Sequence, residues 1–209
     1  MASSAILKRQ RRAQQRKQAV VSKRQLELVE STIGARARRA AAMPIRVCAL
    51  HGQLVDGAVD GGIASVVLAR GRTPDYATAA IFLVDTFCLG VKDVIVQEFE
   101  ADQLAFLIES MAEVSPVTEL EPSYARKLLR EAAAWGASIG FKPHRDFVAA
   151  EQLFGDVRAE ACEAVFTFGK DGKPFYMPGP TETRAQVRQR LAHLLARFGP
   201  DGFDHMVEV

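Results

Sequence analysis

Cysteine is scarce in this chain. Cys48, Cys88 and Cys162 are odd in number and far apart, which argues against a disulfide framework and for a reducing compartment. Long apolar runs are missing too. Nothing approaches the roughly 20 apolar residues of a membrane span, and the longest stretch, residues 77–89, is interrupted by Asp85. The first residues have no apolar segment before a small-residue cleavage site, so they do not read as a secretory signal. Their richness in Arg and Lys leaves a mitochondrial presequence as an alternative, weakened by a thin, Gln-rich apolar face. A cytoplasmic location is the expectation.

Several catalytic signatures are absent as well. There is no G-x-x-x-x-G-K-[ST] phosphate loop and no G-x-G-x-x-G dinucleotide fingerprint. There is no G-x-S-x-G nucleophile elbow. Cys48-x-x-His51 has a suggestive spacing, but no second ligand pair follows at zinc-site distance, so no zinc site is expected and the identity of any cofactor is left unknown.

The composition itself is that of a globular chain. Of 209 residues, 48% are hydrophobic and 25% charged, within the ordinary range. A body of about 150–170 residues buries roughly 70% of its unfolded surface and needs no metal or disulfide to fold. The net charge of +2 hides a division. Residues 1–41 hold 11 Lys/Arg and two acids, whereas the rest holds 16 bases and 23 acids. A basic arm on an acidic body is the most informative feature of the sequence.

Residues 4–30 contain neither Gly nor Pro and are rich in helix formers, which predicts a helix. Its early part has too few apolar residues to dock firmly on a core. Lys8, Arg9, Arg11, Arg12, Arg16, Lys17, Lys23 and Arg24 would wrap widely around such a helix, which suits phosphate contacts more than base reading. The arm lacks aromatic residues, so it does not supply stacking on single strands. The bland alternative is a solubility tail. A second basic, Ala-rich stretch, residues 34–42, ends at Pro44. The expected organisation is therefore an arm over 1–43 and a single domain over 44–209.

Within the domain, residues 45–50 alternate as a half-buried strand does. Residues 63–69 and 76–87 read as further strands, the latter buried on both faces around Ile81 and Val84. Gly90 interrupts that pattern, and 94–96 continues it beyond a bend or bulge. Helical periodicity follows at about 101–113, 123–139 and 145–154, with Ser123 as a cap and Gly140 as a C′ glycine. Residues 166–176 predict a second hairpin turning at Asp171-Gly172. Thr183-x-x-Gln186 is a capping box that opens a last helix, which Gly199-Pro200 ends. The fold class expected is α+β: an antiparallel sheet with helices packed on it, preceded by the basic helical arm.

Two segments carry candidate chemistry. In the first, Asp85, Cys88, Lys92 and Asp93 lie within nine positions. An acid in an apolar strand is costly unless paired or hydrogen-bonded. One reading is an acid/base or nucleophile site in which Lys92 lowers the Cys88 pKa, or in which Asp85 and Asp93 hold a divalent ion. The other is structural, with Asp85 satisfying backbone donors at a bend and Cys88 filling core. In the second, His144 follows a proline with Asp146 nearby. That histidine could serve as a general base, or hold a loop or helix start.

The runs Leu83-Val-Asp-Thr-Phe-Cys-Leu-Gly-Val-Lys-Asp93 and Gly140-Phe-Lys-Pro-His-Arg-Asp-Phe147 resemble an uncharacterised bacterial protein family. Gly62 to Arg70, Tyr124 to Leu129 and Leu153 to Asp156 are similar to other parts of it, so the resemblance spans about residues 45–178. It implies one domain in a bacterial cytosol and lends no activity. The leading expectation is a nucleic-acid or ribonucleoprotein binding protein whose partner meets residues 1–41. The alternatives are a hydrolase or nuclease using Asp85, Asp93 and His144, and a non-catalytic protein-interaction module.

Overall fold

The structure is a computed structural model that describes residues 32–180 and 182–206. The eight basic residues from Lys8 to Arg24 lie outside the described residues.

The chain folds as an α+β protein around a five-stranded antiparallel sheet. Its strands are β1 (Ile45–His51), β4 (Ile63–Thr73), β5 (Tyr76–Asp85), β6 (Gly90–Glu100) and β7 (Val117–Glu119). Two short strands, β2 (Leu54–Val55) and β3 (Ala58–Val59), form a separate ribbon between β1 and β4. The sheet order is β6-β5-β4-β1-β7.

Alternation sets the two faces. On one face Cys48, Leu50, Val66, Leu68, Ala80, Phe82, Val94 and Val96 are all buried. The helices α3 (Pro122–Ser138) and α4 (Phe147–Glu151) cover them, placing Leu128, Leu129, Ala132, Phe147 and Ala150 in the same core. Each fully buried leucine there stabilises the fold by about 1.5–3 kcal/mol relative to exposure. The opposite face carries Ala69, Ala77, Ala79 and Phe99, over which α2 (Ala101–Val114) lays Leu104.

The second basic stretch is part of this core. Residues Ile33–Ala41 form α1, capped by Thr32, whose hydroxyl accepts from the Ala35 amide at 3.3 Å. Ala37 and Ala40 are wholly buried against the sheet-covering layer, because two small side chains on one helix face allow close approach. The packed body therefore includes residues 33–41, which the sequence pattern assigned to the arm.

Three further expectations are corrected. The pattern at 76–96 is not a strand interrupted by Gly90. The chain reverses at residues 86–89, and β6 returns antiparallel beside β5. The second hairpin is reduced to a single bridge between Lys170 and Lys173. Instead of pairing, Phe166 and Phe168 turn their rings onto Tyr124 and Trp135. A two-residue strand, β8 (Phe175–Tyr176), then pairs in parallel with β9 (Asp204–His205). Finally, α3 begins one residue before Ser123, with Glu121 at the N-cap and Pro122 in the first turn.

The last helix, α5 (Arg184–Phe198), opens on the expected capping box of Thr183 and Gln186. Its Leu194 closes a second small core with Cys88, Leu89, Ile139, Tyr176 and Phe203. That cluster anchors the β5–β6 turn to the C-terminal part of the chain. Among the described residues, no helix is long and apolar enough to cross a membrane.

Candidate functional site

The β5–β6 turn is made by Asp85. Its Oδ1 accepts from the amides of Phe87 and Cys88, at 3.1 and 2.8 Å. This is an Asx turn, in which a carboxylate mimics the carbonyl that a backbone turn would use. Gly90 completes the reversal at φ 71°. A side chain there would meet the Ala132 carbonyl at 2.5 Å, so α3 rests directly on the turn backbone.

Asp85 is wholly buried, and its Oδ2 has no hydrogen-bond partner. Burial pushes its pKa up from 3.8 to about 6, although the turn amides and Lys92 pull the other way. Cys88 is also wholly buried. Desolvation, with the Asp85 charge adding to it, drives the Cys88 thiol well above its ordinary range, and Lys92 does not reverse that. Both side chains serve the turn and the core beneath it, and neither lines a cleft.

Lys92 is directed elsewhere by a β-bulge. Leu83 pairs with Asp93 and Val84 with Val91, which leaves Lys92 as the extra residue of β6. A bulge re-aims its side chain. The Lys92 ammonium lies 2.9 Å from Glu182 Oε1 and donates to the Met177 carbonyl at 3.3 Å. Glu182 is the hub of this cluster. Its Oε2 accepts from the Tyr176 hydroxyl at 2.5 Å, and its Oε1 accepts from the Gly179 amide at 2.9 Å. Arg190 of α5 completes an ion pair with Glu182 Oε2. Although burial alone would raise it, the Tyr176, Lys92 and Gly179 contacts hold the Glu182 carboxyl down at about 2.

The loop after α3 meets β6 at the same place. The His144 amide donates to the Val91 carbonyl at 2.8 Å. Its ring then stands between two acids, with Nε2 3.6 Å from Asp93 Oδ1 and Nδ1 3.9 Å from Asp146 Oδ2. A cleft of about 210 Å³ opens here, lined by Leu89, Val91, Lys92, Phe141, Lys142, His144 and Arg190. Of the sequence-derived candidates, Lys92, Asp93, His144 and Asp146 are thus brought together, and Asp85 and Cys88 are held behind them. Glu182 and Arg190 were not found by sequence reasoning. The signal available for them was the capping box at Thr183, which places Glu182 just before a helix and Arg190 within its first two turns.

A second cationic region lies at α1. A cavity of about 240 Å³ is lined by Arg36 and Arg39 of α1, by Arg70 and Arg72 of β4, and by Tyr76, Thr78 and Glu98. Arg70 is 5% exposed. It donates to the Met43 carbonyl at 2.6 Å and the Phe154 carbonyl at 2.7 Å, tying the segments that follow α1 and α4 to the sheet. Its Nε and that of Arg36 are buried without a hydrogen-bond partner. Glu98 is the carboxylate in the lining, and it accepts from the Tyr76 hydroxyl at 2.8 Å. Four arginines and one carboxylate therefore share the lining of this cavity.

Elsewhere on β1, Cys48 and His51 stand on opposite faces of the strand, three residues apart, so their spacing does not converge on an ion. Burial raises the Cys48 thiol to about 12. Among the described residues, no group of three or more His, Cys, Asp or Glu side chains is arranged to hold a metal ion. No protein-family model, no curated protein and no solved structure matches the chain.

Proposed function

We propose that this protein binds nucleic acid or a ribonucleoprotein through a basic surface that starts in the N-terminal arm and continues along α1. The observation that carries the reading is the arginine cavity. Arg36, Arg39, Arg70 and Arg72 surround it, and the helix that supplies two of them is the direct continuation of the arm sequence. Guanidinium groups match phosphate oxygens with paired donors. Arg36, Arg39 and Arg72 make no ion pair with a carboxylate among the described residues, so their charge is available to an anion. Tyr76, 46% exposed at the cavity wall, adds a ring on which a base can stack. The unpaired cysteines fit a reducing bacterial cytoplasm.

The test compares the full chain with an Arg36→Gln/Arg39→Gln/Arg72→Gln variant for oligonucleotide binding across a salt series. Arg70 is left intact because it ties the segments that follow α1 and α4 to the sheet. Removing phosphate contacts lowers the log–log salt slope by about 0.9 per contact on duplex DNA and about 0.7 on single strands. Unchanged affinity and slope in the variant would remove the cavity from the account.

The hydrolase reading keeps one observation in its favour, the approach of Asp93 and Asp146 to the two ring nitrogens of His144. An oriented imidazole beside carboxylates is a general-base arrangement. Asp85, its third member, is enclosed under the turn. Loss of a measured hydrolytic activity in His144→Gln, with nucleic-acid affinity retained, would favour this second reading.

A further inference from the structure

The cleft between β6, the loop after α3 and α5 is separate from the arginine cavity and is not used by the polyanion reading. We infer that it is a binding site for a terminal phosphate monoester attached to a small apolar or ring-bearing body.

Lys92, Lys142 and Arg190 all line the cleft. Glu182 compensates one of these three charges through its contacts with Lys92 and Arg190. Lys142 is exposed and has no partner among the described residues. His144, also in the lining, is held by Asp93 and Asp146 at the rim. The lining thus presents three cations, with one carboxylate, Glu182, behind them and two more, Asp93 and Asp146, at the rim, and a phosphate monoester at neutral pH carries about −1.5 to −2.

The cations are also pre-positioned. Lys92 is fixed by the bulge and by two acceptors, Glu182 Oε1 and the Met177 carbonyl, so one of its three N–H donors is left for a ligand. Arg190 is held by Glu182 and lies 6.0 Å from the Tyr176 ring. Groups anchored from behind bind without losing further side-chain freedom. Leu89, Val91 and Phe141 form the apolar side of the cleft. Its volume of about 210 Å³ is below that of drug-sized pockets, which start near about 300 Å³. It suits a phosphate with one ring.

Two sources could present this chemistry: a small phosphorylated metabolite, or the 5′-phosphorylated end of a strand. The experiment separates them. Calorimetric titrations of the full chain would use phenyl phosphate, phenyl sulfate as a monoanion of the same shape, inorganic phosphate, and a short oligonucleotide with and without a 5′-phosphate. Amide chemical shifts would locate the binding.

Phenyl phosphate is expected to saturate and to bind more tightly than phenyl sulfate or inorganic phosphate, with shifts at residues 89–92 and 141–144. Lys142→Gln is expected to weaken it by about tenfold, the loss of one charge-assisted hydrogen bond, with an unchanged melting temperature. Phe141→Ala is expected to weaken phenyl phosphate but not inorganic phosphate. Tighter binding of the 5′-phosphorylated oligonucleotide, lost in Lys142→Gln, would assign the strand end as the source. If neither monoester saturates, or if Lys142→Gln binds them as the parent does, the site is not what we infer, whatever the arginine cavity does.

Discussion

The Lys92 ammonium meets the Glu182 carboxylate at 2.9 Å, with both side chains almost fully withdrawn from water, at 11% and 7% exposure. This contact ties the bulge of β6 to the segment that leads into α5, although the two residues are far apart in the chain. Removing one partner of a buried pair leaves the other charge without compensation. Glu182→Gln is therefore expected to destabilise the protein by about 3 kcal/mol, since Lys92 and Arg190 lose their shared counter-charge and the amide keeps only one of the two acceptor oxygens. Lys92→Met should cost a comparable amount. Denaturant melts of both variants and of the double variant measure the coupling. Strict additivity of the two losses would mean that the pair does not act as a unit.

Two neighbouring carboxylates should give the stability curve opposing limbs. The Glu182 carboxyl is depressed from 4.5 to about 2. Its contribution is present above 4.5 and is lost as pH falls from 4.5 through 2, a change on the order of 3 kcal/mol. The Asp85 carboxyl is raised from 3.8 to about 6. Its contribution is complete below 3.8 and is lost as pH rises from 3.8 through 6, because the folded state must then carry a buried charge. Asp85→Asn should flatten the limb between those two values while leaving the acid limb unchanged. Urea melts across the acidic range read both effects, and an unaltered slope in Asp85→Asn would contradict the assignment.

Helix α3 approaches the β5–β6 turn so closely that a Cβ on Gly136 would meet the Leu89 carbonyl at 2.8 Å. Gly136→Ala gains helix propensity but forces the helix off the turn. The overpacking should prevail, with a net loss of about 1–3 kcal/mol. A more stable alanine variant would show that the contact yields without cost.

The thiols offer a simple check on the turn. Cys48 and Cys88 are buried, whereas Cys162 is partly exposed. In native protein, a maleimide should modify Cys162 first, with Cys48 and Cys88 reacting only on unfolding. Rapid labelling of Cys88 would open the turn to solvent and return it to the list of reactive groups.

Much of the secondary structure was legible because it rests on local pattern. The alternation of β1, the valine- and isoleucine-rich run of β4, the helical periodicity of α2, α3 and α5, and the Thr183–Gln186 capping box each announce an element within a few residues. The β5–β6 reversal was not legible, because Phe87, Cys88 and Leu89 look like strand. They turn because Asp85 captures two amides and because Cys88 and Leu89 enter a core completed by Leu194 and Phe203, more than a hundred positions away. The docking of α1 escaped notice for a related reason. Ala37 and Ala40 give a weak hydrophobic signal, yet their small size is what allows burial. At the cleft, Lys92, Asp93, His144 and Asp146 could be suspected from their segments, whereas Glu182 and Arg190 join them only through the path of the folded chain.

We propose that the arm and the arginine cavity act as one polyanion-binding surface. Cutting the chain before Met43 would strip Ala37 and Ala40 from the core and confuse binding with folding. The direct measurement keeps the full length. Oligonucleotide affinity is determined over a salt series for the parent chain, for a variant with Lys8, Arg9, Arg11 and Arg12 changed to Gln, and for the Arg36→Gln/Arg39→Gln/Arg72→Gln variant. Under this proposal a steep salt slope is expected in the parent and a reduced slope in each variant, with melting temperatures close to the parent's. Absence of salt-dependent binding by the parent chain, or binding that both variants retain in full, would contradict it.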